Sequence, residues 1–122
     1  MKIGDIKIKI KKIPGGQYCD FLYEYEVTYK NRTETAFSCG KEFSEEEILV
    51  LLTQDFFTPV LEKLGIFNDY TAEDCKFLSS LYADKLRTAK GLGDEKAAKE
   101  SNNNLMFYMT IGAIIARKEN RK

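Results

Sequence analysis

The sequence predicts an α+β fold in two layers: a three-stranded antiparallel N-terminal sheet, covered on one face by three or four C-terminal helices. Residues 6–13, IKIKIKKI, alternate apolar and charged side chains with the period of a half-buried strand. Residues 21–30, FLYEYEVTYK, do the same with aromatic residues. From Ser44 onward, apolar residues recur at helical spacing behind helix-start signals. A chain of 122 residues needs only one core. Residues 1–122 are therefore read as a single compact domain, with a sheet part at 1–43, a helical part at 44–118 and a basic tail at 119–122.

In the first strand Ile6, Ile8 and Ile10 share one side, and Lys7, Lys9 and Lys11 the other, until Pro14-Gly15-Gly16 breaks the run. In the second, Phe21, Tyr23, Tyr25, Val27 and Tyr29 share a side opposite Glu24, Glu26 and Thr28. Antiparallel pairing of Lys9 with Glu24 and Lys7 with Glu26 sets Ile8 by Tyr25 and Ile10 by Tyr23. A slip of a single residue would mix the two faces. After Lys30-Asn31-Arg32 a third strand, TETAFSC, is expected to place Thr35, Phe37 and Cys39 opposite Val27, Tyr25 and Tyr23.

Helices are expected near 45–64, 72–90 and 104–118. Ser44 with Glu47 forms a capping-box signature, with Phe43 and Ile48 as a hydrophobic staple. Pro59 either kinks this helix or, with Thr58 as a fresh N-cap, starts another; Gly65 ends it. Thr71 with Asp74 opens the next, whose apolar positions Cys75, Leu78, Leu81, Tyr82, Leu86 and Ala89 run down to Gly91. Asp94 caps a short polar helix, EKAAKES, and Asn102-Asn103-Asn104 reads as a turn. The final apolar run, LMFYMTIGAIIA, is shorter than the about 20 residues a membrane helix needs. It is read as a core helix, with no membrane role, and the basic residues after it complement the helix dipole.

Nineteen Lys plus Arg balance nineteen Asp plus Glu, so no net field steers the chain to a polyanion. Histidine is absent, and Cys19, Cys39 and Cys75 are widely spaced, so neither a Cys/His metal set nor a cofactor is expected. Reduced thiols and a start without an unbroken apolar run point to a cytoplasmic protein.

Three clusters are candidate sites. Lys2, Lys11, Lys12, Lys30 and Arg32 carry the nucleic-acid reading, because they lack an assigned carboxylate or lie at nearby loops. Lysines also guard sheet edges, and pairing with the glutamates would neutralise the row. Glu45, Glu46 and Glu47 could meet a basic groove on a protein partner, although consecutive helical residues diverge too far to cage a metal. The tyrosine stripe on the second strand is read as core and not as a base-stacking platform. No catalytic residue emerges: Cys75 has acidic neighbours and no base, and Gly91-Leu92-Gly93 lacks the strand and third glycine of a nucleotide loop.

The leading expectation is a small non-catalytic binding protein that engages a protein partner, such as an inhibitor or accessory factor of a mobile element. Self-association is expected if the apolar helices offer more surface than one small sheet can cover. A nucleic-acid-binding accessory protein comes second, and an enzyme of unknown type third.

Overall fold

A computed structural model describes residues 1–17, 19–54 and 56–120. The order is β1 (Lys2–Ile3), β2 (Ile6–Pro14), β3 (Phe21–Tyr29), β4 (Arg32–Cys39), α1 (Glu45–Thr53), α2 (Thr58–Lys63), a 3-10 turn (Ile66–Asn68), α3 (Ala72–Gly91) and α4 (Glu95–Glu119). The fold is α+β, with a four-stranded antiparallel sheet in the order β1-β2-β3-β4 and helices following it. The chain forms two compact units, Met1–Ile66 and Phe67–Lys122.

In the first unit, β1 is the strand beyond the three expected. The Gly4-Asp5 turn, with Gly4 at φ 55°, folds Ile3 back against Ile6, and the Met1 ammonium donates to the Ile8 carbonyl at 2.9 Å. Between β2 and β3 the observed register pairs Lys9 with Glu26, Lys11 with Glu24, Lys7 with Thr28 and Ile8 with Val27. It differs from the expected register by two residues, which keeps every side chain on its expected face. In the expected register Pro14 would stand opposite Cys19; it stands opposite Phe21, so the connection is two residues longer and closes with the Gly15 N–H donating to the Asp20 carbonyl at 2.9 Å.

The β3–β4 register differs by one residue, and there the faces do exchange. Lys30, at φ 55°, and Asn31 alone make a two-residue turn, so Tyr29 pairs with Arg32 and Tyr25 with Ala36. Thr35, Phe37 and Cys39 consequently stand opposite Glu26, Glu24 and Leu22, and Phe37 is 50% exposed.

Ile6, Ile8, Tyr25, Val27 and Tyr29 are buried, as are Ile48 and Leu52 of α1 and Val60 and Leu61 of α2. Each such apolar side chain contributes about 1.5–3 kcal/mol when fully withdrawn from water. The Tyr25 ring stacks on Phe43 and meets Phe57 edge-on, with centroids 5.6 and 6.2 Å away. Its hydroxyl lies 3.0 Å from the Ser38 hydroxyl and accepts from the Phe43 backbone N–H at 3.1 Å.

Ser44 and Glu47 close the expected capping box on α1. Pro59 starts a second helix, and the N-cap of α2 is Phe57, one residue before the expected Thr58. Gly65, at φ 76°, follows the α2 C-cap. Cys19 and Cys39 are joined in a disulfide across 20 positions of sequence, with Cα atoms 6.0 Å apart. This corrects the expectation of three reduced thiols. The hairpin brings Cys39 opposite Leu22, beside the loop that carries Cys19, a proximity that sequence spacing alone conceals.

The second unit is a helical hairpin. Thr71 and Asp74 cap α3 reciprocally, and the Asp94 carboxylate accepts from the Ala97 N–H at the start of α4. The expected turn at Asn102-Asn103-Asn104 is instead the interior of one continuous helix. Asparagine's helix penalty, below about 0.7 kcal/mol per residue, is outweighed by the packing of α4, with Ser101, Asn103, Phe107, Tyr108 and Ile111 all buried. Tyr108 stacks on Tyr82 at 5.7 Å and meets Tyr70 edge-on. A Cβ on Gly112 would stand 2.8 Å from the Cys75 Cβ, so the helices touch where only glycine fits. Of the basic tail, Glu119 ends α4 and Asn120 caps it; Arg121 and Lys122 lie outside the described residues, as does Asp55.

Candidate interaction surfaces

The outer face of the sheet follows from the strand period. Lys7, Lys9 and Lys11 of β2 share it with Glu24, Glu26 and Thr28 of β3 and with Thr33, Thr35 and Phe37 of β4. The Lys11 ammonium reaches diagonally to Glu26 at 2.8 Å. This hydrogen bond, followed by the Coulomb attraction of Glu26, raises the Lys11 pKa. In return the Lys11 hydrogen bond holds the Glu26 carboxyl below its ordinary value, against a smaller opposing effect of burial. Thr28 and Thr33 bond to each other at 3.0 Å. Part of the face is thus satisfied by its own side chains.

The five residues of the nucleic-acid reading do not converge. Lys2 pairs with Lys7 on the outer face, and Lys11, expected to lack a carboxylate, is bound to Glu26. Lys12 belongs to the opposite face, its ammonium 3.9 Å from the centroid of the Phe21 ring. Lys30 sits in the β3–β4 turn, 5.3 Å from the Tyr29 ring centroid, and Arg32 starts β4. Lys2, Lys7 and Lys9 do line a groove of about 760 Å³, but Glu26, Glu42 and Glu45 line it with them.

The acidic triplet divides in the same way. Glu47 is held by its own helix start: one carboxylate oxygen accepts from the Ser44 N–H, the other from the Lys41 ammonium at 2.8 Å. The Lys41 bond and then the Ser44 backbone bond keep its pKa below the usual carboxylate value. Glu45 faces the mixed-charge groove, and Glu46 is exposed on α1. Among the described residues no group of three acidic or cysteine side chains stands ready to hold a metal.

Of the tyrosine stripe, Tyr25 and Tyr29 are buried and Tyr23 is half-buried, so the rings are core rather than platform. Cys75 is buried on α3. Burial first, and the neighbouring Asp74 charge second, push its thiol pKa up, opposite to the direction a nucleophile requires. Gly93, at φ 72°, serves the α3–α4 turn.

The surface that sequence reasoning missed lies on α3. Phe77 is 69% exposed, Leu81 38% and Leu92, at the C-cap, 80%. With Thr88 they follow helical spacing along one face, away from the buried Cys75 and Ala89. Leu81, Leu92 and Ala97 line a hollow of about 400 Å³ together with the charged Asp84, Lys85 and Asp94, whereas Phe77 borders a different one with Tyr70 and Glu73. The available signal was Phe77 itself, which falls outside the expected set Cys75, Leu78, Leu81, Tyr82, Leu86 and Ala89; of that set Leu81 proves exposed, at the margin of the buried face.

These features define the chain only as an α+β protein, with no helix among the described residues long and apolar enough to cross a membrane. Comparison with protein-family models, with curated proteins and with solved structures gives no match.

Proposed function

We propose that this is a small non-catalytic binding protein whose target is another protein. The observation that carries the reading is the exposed apolar face of α3, where Phe77, Leu81 and Leu92 stand in water and the two leucines border a hollow of about 400 Å³. Aromatic and aliphatic anchors next to a concavity are the usual centre of a protein interface, whereas isolated exposed apolar residues are ordinary. Glu45 and Glu46 on α1 offer charge that accelerates encounter with a basic partner. Inhibition, or an accessory role in a mobile element, is the kind of task such a module performs.

The nucleic-acid reading is weaker because phosphate binding requires cations not already engaged, and Lys11 and Lys12 are engaged by Glu26 and Phe21. A cytoplasmic location belongs to the same proposal, although the Cys19–Cys39 pair counts against a reducing compartment.

The test is affinity capture from the native host with tagged wild-type protein and a Phe77→Glu variant. A protein retained through a high-salt wash by the first and lost by the second is the expected result. Recovery of nucleic acid alone, released as salt rises, would favour the second reading.

A further inference from the structure

We infer that the Cys19–Cys39 disulfide is a redox latch, opened by a dithiol reductant and closed again by a disulfide oxidant, that frees or fixes the β2–β3 loop while the sheet stays folded. The latch is independent of the α3 face. Cys39 ends β4, and Cys19 lies in the connection between Pro14 and Phe21. Cys39 is exposed and Cys19 half-buried, so a thiolate can approach the bond from water. Disulfides open to solvent are the ones that exchange, whereas enclosed ones serve as permanent staples. Cys75, the remaining thiol, is buried and takes no part. A disulfide that forms in a reducing compartment is ordinarily a sensing one, which reconciles this bond with the cytoplasmic proposal.

On the β4 side the chain is held without this bond. The Ser38 hydroxyl donates to the Lys41 carbonyl at 2.8 Å and lies 3.0 Å from the Tyr25 hydroxyl, and the Gly40 N–H donates to the Phe21 carbonyl at 3.0 Å. These contacts bracket Cys39 on both sides, so β4 keeps its place when the bond opens. The loop has less. Among the described residues of 15–20 the one hydrogen bond runs from the Gly15 N–H to the Asp20 carbonyl at 2.9 Å, which closes the loop on itself and anchors it to no other element. Opening takes two exchanges. A thiolate of the reductant attacks the exposed Cys39 sulfur, the S–S bond breaks, and Cys19 leaves as a thiolate that takes a proton from water. The reductant's second thiolate then displaces Cys39, which is protonated in turn, and the reductant departs as its own disulfide, having passed two electrons to the protein.

Reduction of the folded full chain by dithiothreitol, followed by two-dimensional NMR and by alkylation with mass measurement, tests the latch. Cys19 and Cys39 should become alkylatable without denaturant while Cys75 stays unreactive. The amide signals of Gly15, Gly16 and Asp20 should move while those of Tyr25, Val27 and Ala36 stay, and oxidised glutathione should restore the first spectrum. The double variant C19S/C39S separates the latch from any other effect of the reductant: its loop signals should match those of the reduced chain and ignore dithiothreitol. Three results each overturn the inference: a bond that yields only as the Tyr25 and Val27 signals are lost, loop signals indifferent to reduction, or thiols already free in oxidising buffer.

Discussion

The sheet unit and the helical hairpin unit differ in how their exposed residues are arranged: the first pairs part of its surface charge across strands and leaves Phe21, Phe37 and Val50 exposed on separate elements, the second exposes apolar residues in a row along one helix. On the sheet, Lys11 and Glu26, then Thr28 and Thr33, satisfy one another across strands, and the groove near them mixes both signs of charge. On the hairpin, α3 turns a phenylalanine and two leucines outward. A conspicuous charged pattern can therefore be partly an internal arrangement, while an unremarkable amphipathic helix leaves large apolar side chains exposed. Charges find partners locally at little cost, but apolar area is withdrawn from water only by covering it.

The sharpest break in this comparison is between two phenylalanines of the hairpin. Phe107→Ala should destabilise by about 3–5 kcal/mol, because a buried ring packed at 5.1 Å from Tyr108 leaves a cavity. Phe77→Ala should stay within about 0.5 kcal/mol in the isolated chain while losing association. Denaturant unfolding of both variants reads the difference.

Next in size, Cys39→Ser should cost the sheet unit about 2–4 kcal/mol by freeing the β2–β3 loop from β4. Alkylation of the unreduced, denatured protein followed by mass measurement should find one reactive thiol, Cys75; three would remove the disulfide from the account. Tyr25→Phe is the smaller test of the same unit. It retains the ring contacts but leaves Ser38 and the Phe43 N–H without their shared hydroxyl, for a loss of about 1–2 kcal/mol in denaturant midpoint experiments.

The smallest effect concerns the lysine row. Glu26 has a lowered folded pKa, so its contribution is fully present above the unfolded value of about 4.3 and disappears as pH falls through the folded value. Lys11 has a raised folded pKa, so its contribution is present below about 10.4 and disappears as pH rises through the folded value. Lys11→Gln should therefore lower Tm slightly at neutral pH and leave it equal to wild type in acid. A difference that persists in acid would mean that Lys11 acts through something other than this pair.

Legibility followed the physics of each element. Alternation told which side of β2 and β3 faces inward, and that parity holds, because a single-residue slip would bury lysine. It could not tell a shift of two, which leaves every face unchanged. The β3–β4 hairpin was misread because its turn uses two residues, Lys30 and Asn31, and not three, and one residue is enough to turn Phe37 outward. The Gly4-Asp5 turn was readable as a hairpin and would have revealed β1. Capping boxes at Ser44 and Thr71 located their helices because the signal is local. Asn102–Asn104 misled for the opposite reason: the packing of α4 decides there, and it is invisible to propensity. The α3 face was hidden because spacing marks a broad apolar stripe without fixing its edge: it assigned Leu81 to the stripe, where the structure leaves it exposed, and it was silent about Phe77.

The claim on which the rest depends is that association occurs at the α3 face and not along the lysine row. Two-dimensional NMR spectra of the chain with and without the host protein it captures compare the two directly. The amide signals of Phe77, Leu81, Thr88 and Leu92 should move on adding that protein while those of Lys7, Lys9, Lys11 and Glu26 stay fixed. Stationary α3 signals, or movement confined to the lysine strand, would contradict it.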